Sequence, residues 1–108
     1  MTDAVGREAI KTAPTLAGLR ARRDEILALA ARYGASNVRV FGSVARGEAT
    51  ADNDIDFLVS FAPGYTLLMH SGLLVRLIEL LGQRVEVVNE PQVRDEYRAF
   101  ILHDSVLL

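Results

Sequence analysis

The chain has no cysteine, so neither disulfides nor thiolate metal sites are open to it, a composition that fits a reducing cytoplasm. Its histidines, His70 and His103, show no metal-ligand spacing and suggest no Ser–His pairing, so each reads as a packed or surface residue. No apolar run approaches the roughly 18 residues of a membrane-spanning helix. The N-terminus carries scattered charges rather than the continuous apolar stretch of a secretory signal. Basic excess is also missing. Twelve Lys and Arg stand against fourteen Asp and Glu, a net charge of −2. The densest basic cluster, Arg20, Arg22 and Arg23, runs straight into Asp24 and Glu25. A protein that tracks a phosphate backbone usually gathers its basic residues on one face. This cluster reads instead as a solvated helix face, so neither a polynucleotide nor a membrane is an expected partner.

What is present suits one domain with a single modest core: 108 residues, half of them apolar. Residues 1–14 carry no convincing period and read as a flexible leader or short helix, leaving 15–108 as the folded domain. Leu16, Leu19, Ile26, Leu27, Ala30 and Tyr33 keep helical spacing, and Gly34 supplies a stop. Asn37–Phe41 is a β-branched and aromatic run, read as a strand ending at Gly42. Residues 43–47 allow one helical turn, and 48–53 a polar loop. A second strand spans 54–60, with Asp54, Asp56 and Leu58 alternating against Ile55, Phe57 and Val59. A helix over 65–81 has a narrow polar sector of Gly72, Arg76 and Glu79. It bears two apolar stripes, one of Leu67, Leu74, Ile78 and Leu81, the other of Met69, Leu73, Leu77 and Leu80. One stripe covers a sheet; the second calls for another helix or a partner chain. Residues 84–88 form a third strand, and Pro91 introduces a last helix over 92–102. The order is that of an α+β fold, a small mixed β-sheet flanked by helices. Tyr33, Tyr65 and Tyr97 read as packing residues.

The chemistry concentrates between Gly42 and Asp56. Asp54 and Asp56 are two apart in a strand, so both carboxylates leave one face. Aspartate is depleted in strands, and adjacent like charges repel. A divalent cation reverses that penalty, and Mg²⁺ favours one or two carboxylates with phosphate oxygens and water. Two solvated carboxylates at an exposed strand end are the plainer alternative. Gly42-Ser43 follows a strand directly, where glycine lets backbone approach a ligand and helix-terminal amides attract phosphate. A plain turn with Ser43 as N-cap is equally consistent with those two residues alone. The combination is specific: Gly-Ser, ten residues, then Asp-x-Asp sets a phosphate cradle and a metal pair on successive strands. Phosphoryl transfer asks little more of a protein than such positioning and charge neutralisation. Arg46 either reaches a phosphate or pairs with Glu48. Glu86 alternates with Val85 and Val87. If its strand neighbours the second, it joins the aspartates as metal ligand or general base; otherwise it is a solvent-facing glutamate.

The stretch Val-Arg-Val-Phe-Gly-Ser-Val-Ala-Arg-Gly, followed by Asn-Asp-Ile-Asp-Phe-Leu-Val, resembles the DNA polymerase β-like nucleotidyltransferase superfamily. The nearest resemblance within it is to the minimal nucleotidyltransferase (MNT) antitoxins, and it extends from about Leu16 through Leu-Leu-Gly-Gln-Arg-Val-Glu-Val-Val to the closing Ile-Leu-His-Asp-Ser-Val. The resemblance implies a palm-like sheet and an ATP site served by two Mg²⁺ ions, with Gly42 and Ser43 on the nucleotide and Asp54 and Asp56 on metal. It also places a third acid at Glu86, where the family usually has aspartate. The extra methylene moves that carboxylate by roughly a bond length, which near-attack geometry can make costly.

The same resemblance implies a partner: a HEPN-type ribonuclease toxin that the MNT protein binds and, in some pairs, AMPylates on a tyrosine. The expected function is therefore AMP transfer from ATP to that toxin in the cytoplasm. A binding-only antitoxin and a small-molecule nucleotidyltransferase are the alternatives. A homo-oligomer stays open, because the 65–81 helix and the tail Val106–Leu108 either pack internally or cover a neighbour.

Overall fold

A computed structural model describes residues 12–108, so the leader expected over the first fourteen residues lies largely outside the described residues. Four strands, β1 (Ala35–Phe41), β2 (Ile55–Phe61), β3 (Val85–Asn89) and β4 (Val106–Leu107), form one sheet in the order β3-β2-β1-β4. β1 runs antiparallel to both β2 and β4, while β2 and β3 are parallel. Parallel neighbours need a long crossover, and helix α4 (Leu67–Leu81) provides it. Before β1 come α1 (Leu16–Ala21) and α2 (Arg23–Arg32); α3 (Gly42–Arg46) follows β1. A 3₁₀ turn at Glu90–Gln92, with Pro91 in it, leads to α5 (Asp95–Asp104), so the last helix starts later than the sequence pattern suggests. The α+β class and the small mixed sheet with flanking helices hold.

The core lies on one face of the sheet. Ile55, Phe57, Val59 and Phe61 of β2 point into it, with Val85 and Val87 of β3 beside them. Ile26 and Ala30 of α2 and Leu73 and Leu77 of α4 close it from above. The continuous helix expected over 15–33 breaks at Arg22 (φ −113°, ψ 22°), whose amide reaches back to the Leu19 carbonyl at 3.0 Å. The Arg22 guanidinium ties this corner to the Leu80 carbonyl at 2.7 Å. Periodicity misses the break because Leu19 and Ile26 keep the same face across it.

β1 begins earlier than the alternating run suggests, because Asn37 sits at φ 52° and its pairing with β2 shifts between Ser36 and Arg39. An extra residue in a strand slips the alternation by one, so Ala35, Val38 and Val40 are all buried. Asparagine tolerates this left-handed backbone better than most residues.

On α4, Thr66 caps the Met69 amide at 3.2 Å, and Gly82 ends the helix at φ 67°. The stripe through Met69, Leu73, Leu77 and Leu80 faces inward. The other stripe divides: Leu74 and Leu81 are half-buried, whereas Leu67 and Ile78 are exposed together with Leu68 and Val75. The expected polar sector also needs correction. Gly72 faces the Tyr33 ring, and a Cβ there would stand 2.5 Å from Tyr33 Cε1. Glycine lets α2 and α4 pack closely side by side. The tail packs internally: Leu108 is buried, and Arg20 donates to the Leu107 carbonyl at 2.8 Å. Tyr33 and Tyr65 pack against the core, but Tyr97 is exposed. Among the described residues no helix is long and apolar enough to cross a membrane.

The two sides of α4 differ in consequence. Leu73→Ala lowers the unfolding free energy by about 2–5 kcal/mol, while Leu68→Ala stays within about 0.5 kcal/mol of the parent. Urea denaturation of the two variants checks the contrast.

Candidate functional site

The face of the sheet away from the core carries the charged residues. Phe41 pairs with Asp56 across β1 and β2, so the turn that leaves β1 passes directly over the Asp56 carboxylate. Gly42 makes that turn at φ 75°. A Cβ on Gly42 would collide with Asp56 Oδ2 and stand 3.3 Å from its Cγ. Backbone conformation and contact thus both require glycine here. α3 starts at Gly42, with Phe41 in the N-cap position, so Ser43 lies inside the helix and does not cap it. The Ser43 carbonyl accepts from the Glu48 amide at 2.9 Å, and Gly47 ends the helix at φ 75°.

The parallel register of β2 and β3 sets Asp56 opposite Glu86. Asp56 is half-buried and Glu86 exposed, while Val85 and Val87 turn into the core. Asp54 stands just before β2, its Oδ1 2.9 Å from Arg84 Nε. Arg84 also donates to the Asp52 carbonyl, which steadies the loop before β2. Asp54, Asp56 and Glu86 therefore share one end of one sheet face. Among the described residues, no three acidic or histidine side chains converge on a single metal position as they stand. The donor set nonetheless suits a hard divalent cation: all oxygen, two carboxylates at paired strand positions, and a third whose exposed pairing with Arg84 is easily exchanged.

Arg46 forms ion pairs with Glu48 at 3.0 Å and Asp104 at 3.1 Å, the second of which joins α3 to α5. To reach a phosphate it must leave both. His70 packs beside Phe61, with Nε2 2.8 Å from the Val87 carbonyl. Sequence reasoning missed Arg84 at this site. The signal lay in parity, since residues 84 and 86 leave β3 on the same side. An open cleft of about 390 Å³ runs farther along the face, lined by Arg39, Leu58, Ser60 and Leu102 among others. A groove of similar size between α2 and α4 lies on the other side of the sheet, away from the carboxylates.

Burial and the crowding of like charges act together on Asp56. Asp56 is pushed up from 3.8 to about 6, chiefly by burial, then by the charge of Glu86 and a hydrogen bond with it, then by Asp54; Arg46 opposes the shift. The folded protein thus holds this proton to higher pH than the unfolded chain does. The resulting stabilisation is present in acid below about 4 and lost as pH rises through about 6. Metal-free Asp56→Asn, neutral throughout, lacks this contribution. Its stability relative to the parent therefore increases between those pH values, as paired urea titrations across the range will register.

Both the sequence and the fold have known counterparts. The family profile described as nucleotidyltransferase domain matches residues 25–108. Protein adenylyltransferase MntA of Thermococcus cleftensis is 37% identical over 75 residues, covering 69% of this chain and 76% of that protein. A solved minimal nucleotidyltransferase superposes with a TM-score of 0.79 at 50% identity, covering 87% of this chain and 96% of the other. A toxin–antitoxin complex solved with AMP-PNP shares the fold, with a TM-score of 0.68 at 19% identity over 78% of this chain and 69% of that one. The turn at Gly42 and the acidic sheet end thus lie within a shared sequence and a shared fold, and the chain belongs to the nucleotidyltransferase domain family, among the minimal nucleotidyltransferases.

Proposed function

We propose that this chain transfers AMP from ATP to a tyrosine hydroxyl of a partner HEPN-type ribonuclease toxin in the cytoplasm and thereby neutralises it. The observation that carries the reading is the pairing of Asp56 with Glu86 beneath the Gly42 turn, with Asp54 alongside. The likeness to protein adenylyltransferase MntA supports adenylyl transfer to protein. The toxin–antitoxin complex with the same fold supports a toxin as the acceptor's carrier.

In this reading Gly42 and Ser43 hold the triphosphate against the end of β1, with Arg46 available once it leaves its carboxylates. Asp54, Asp56 and Glu86 would hold Mg²⁺, two ions in the full arrangement. Bound Mg²⁺ supplies charge neutralisation on the triphosphate. The acceptor oxygen attacks the α-phosphorus and forms a new P–O bond. The α–β P–O bond breaks, its electrons leave on pyrophosphate, and the hydroxyl proton passes to a Glu86 carboxylate oxygen. Burial and neighbouring charge raise the proton affinity of Asp56, so a bound divalent cation would extend its ionised form to lower pH.

A second reading rests on one residue. Glu86 places its carboxylate one methylene farther from β3 than an aspartate would, which favours an antitoxin that neutralises by binding alone. Incubation with α-labelled ATP, Mg²⁺ and the toxin separates the two. Transfer predicts label on the toxin, reduced about 100-fold or more in Asp56→Asn. Unlabelled toxin that is still neutralised by the Asp54→Asn, Asp56→Asn double variant rejects transfer in favour of occlusion.

A further inference from the structure

The two facing pairs at the acidic end of the sheet differ in sign. Asp56 faces Glu86, acid against acid; immediately before them, Asp54 and Arg84 face each other with opposite charge. Among the described residues, Arg84 is the sole cation in salt-bridge contact with any of these three carboxylates. Arg46, the other arginine nearby, pairs with Glu48 and Asp104. The Arg84 backbone is fixed, since its carbonyl accepts from the Ile55 amide at 3.0 Å. Its side chain stays 68% exposed and that of Asp54 48%, so their ion pair is weak, and exchange gives up one further exposed contact, the bond from Arg84 to the Asp52 carbonyl. A guanidinium and a divalent cation satisfy the same negative charge, and both require the Asp54 oxygens.

We propose that Arg84 is a positioning residue that occupies Asp54 in the metal-free protein and releases it to an arriving divalent cation, so that it sets the site's cation affinity. The inference rests on the divalent-cation reading of the three carboxylates. It assigns Arg84 a task distinct from theirs, acting through Asp54 rather than as a ligand of the cation. A fixed backbone with an exposed side chain lets the guanidinium swing aside without disturbing the β2–β3 ladder.

Mn²⁺ titration of the full chain, with free ion read by electron paramagnetic resonance, tests the assignment. Arg84→Gln removes the competitor for Asp54 together with a positive charge beside the site, so it binds Mn²⁺ about three- to tenfold more tightly than the parent. Arg84→Lys keeps the charge without the planar fork and falls between them. In an Asp54→Asn background, Arg84→Gln gains less than about twofold, because the competition is gone. Equal or weaker Mn²⁺ binding by Arg84→Gln overturns the proposal and leaves the metal site standing. An undiminished gain in the Asp54→Asn background also overturns it, since the effect would then be one of long-range field. Failure of the parent and every variant to bind Mn²⁺ overturns the metal site and the proposal together.

Discussion

Parallel pairing of β2 with β3 brings Asp56 and Glu86 face to face, and much of the molecule serves to make that juxtaposition tolerable. Like charges at directly facing strand positions are destabilising, and a half-buried carboxylate adds a desolvation cost. The opposite face offsets both. Phe57, Ile55, Val59, Leu73 and Leu77 are almost wholly removed from water there. Parallel pairing also demands the α4 crossover, and α4 brings the apolar residues that seal the core. The strain of the site and the means of bearing it therefore come from the same topological choice.

The turn at Gly42 completes the arrangement from the other strand. Because Phe41 pairs with Asp56, the backbone leaving β1 has nowhere to go except across the carboxylate. Only a residue without a side chain can pass. Around this point the arginines divide their work: Arg84 reaches Asp54, while Arg46 links α3 to α5 through Asp104. α5 is consequently anchored by charge at the site, although none of its residues is fully buried.

Much of this arrangement was legible in the chain. Alternation placed Asp54, Asp56 and Glu86 on outward faces because β2 and β3 bury Ile55, Phe57, Val85 and Val87 on the other side. The helix stop at Gly34 was readable because a glycine closing an apolar helical period suits the left-handed backbone that it adopts here. Other features depend on tertiary context. The bulge at Asn37 falls at the very start of the alternating run, and the break at Arg22 preserves the phase of the helix on either side. The inward stripe of α4 could not be chosen from composition, since both stripes are rich in leucine. Gly72 looked polar by default, yet it serves a close approach between helices. Arg84 escaped notice because a lone arginine before a strand has many uses; its partner emerges only once the β2–β3 register is known.

The alternation of β2 and β3 has an evolutionary corollary. Successive residues answer to different masters: those pointing one way hold the fold, those pointing the other handle charge. Mutational tolerance along these strands should oscillate with every second position, Leu58 excepted because it is buried on the charged face. Drift on one face leaves the other nearly untouched. A lineage with this sheet can retune or lose its chemistry while keeping its shape, and the glutamate at position 86 sits on the face where such drift is cheapest.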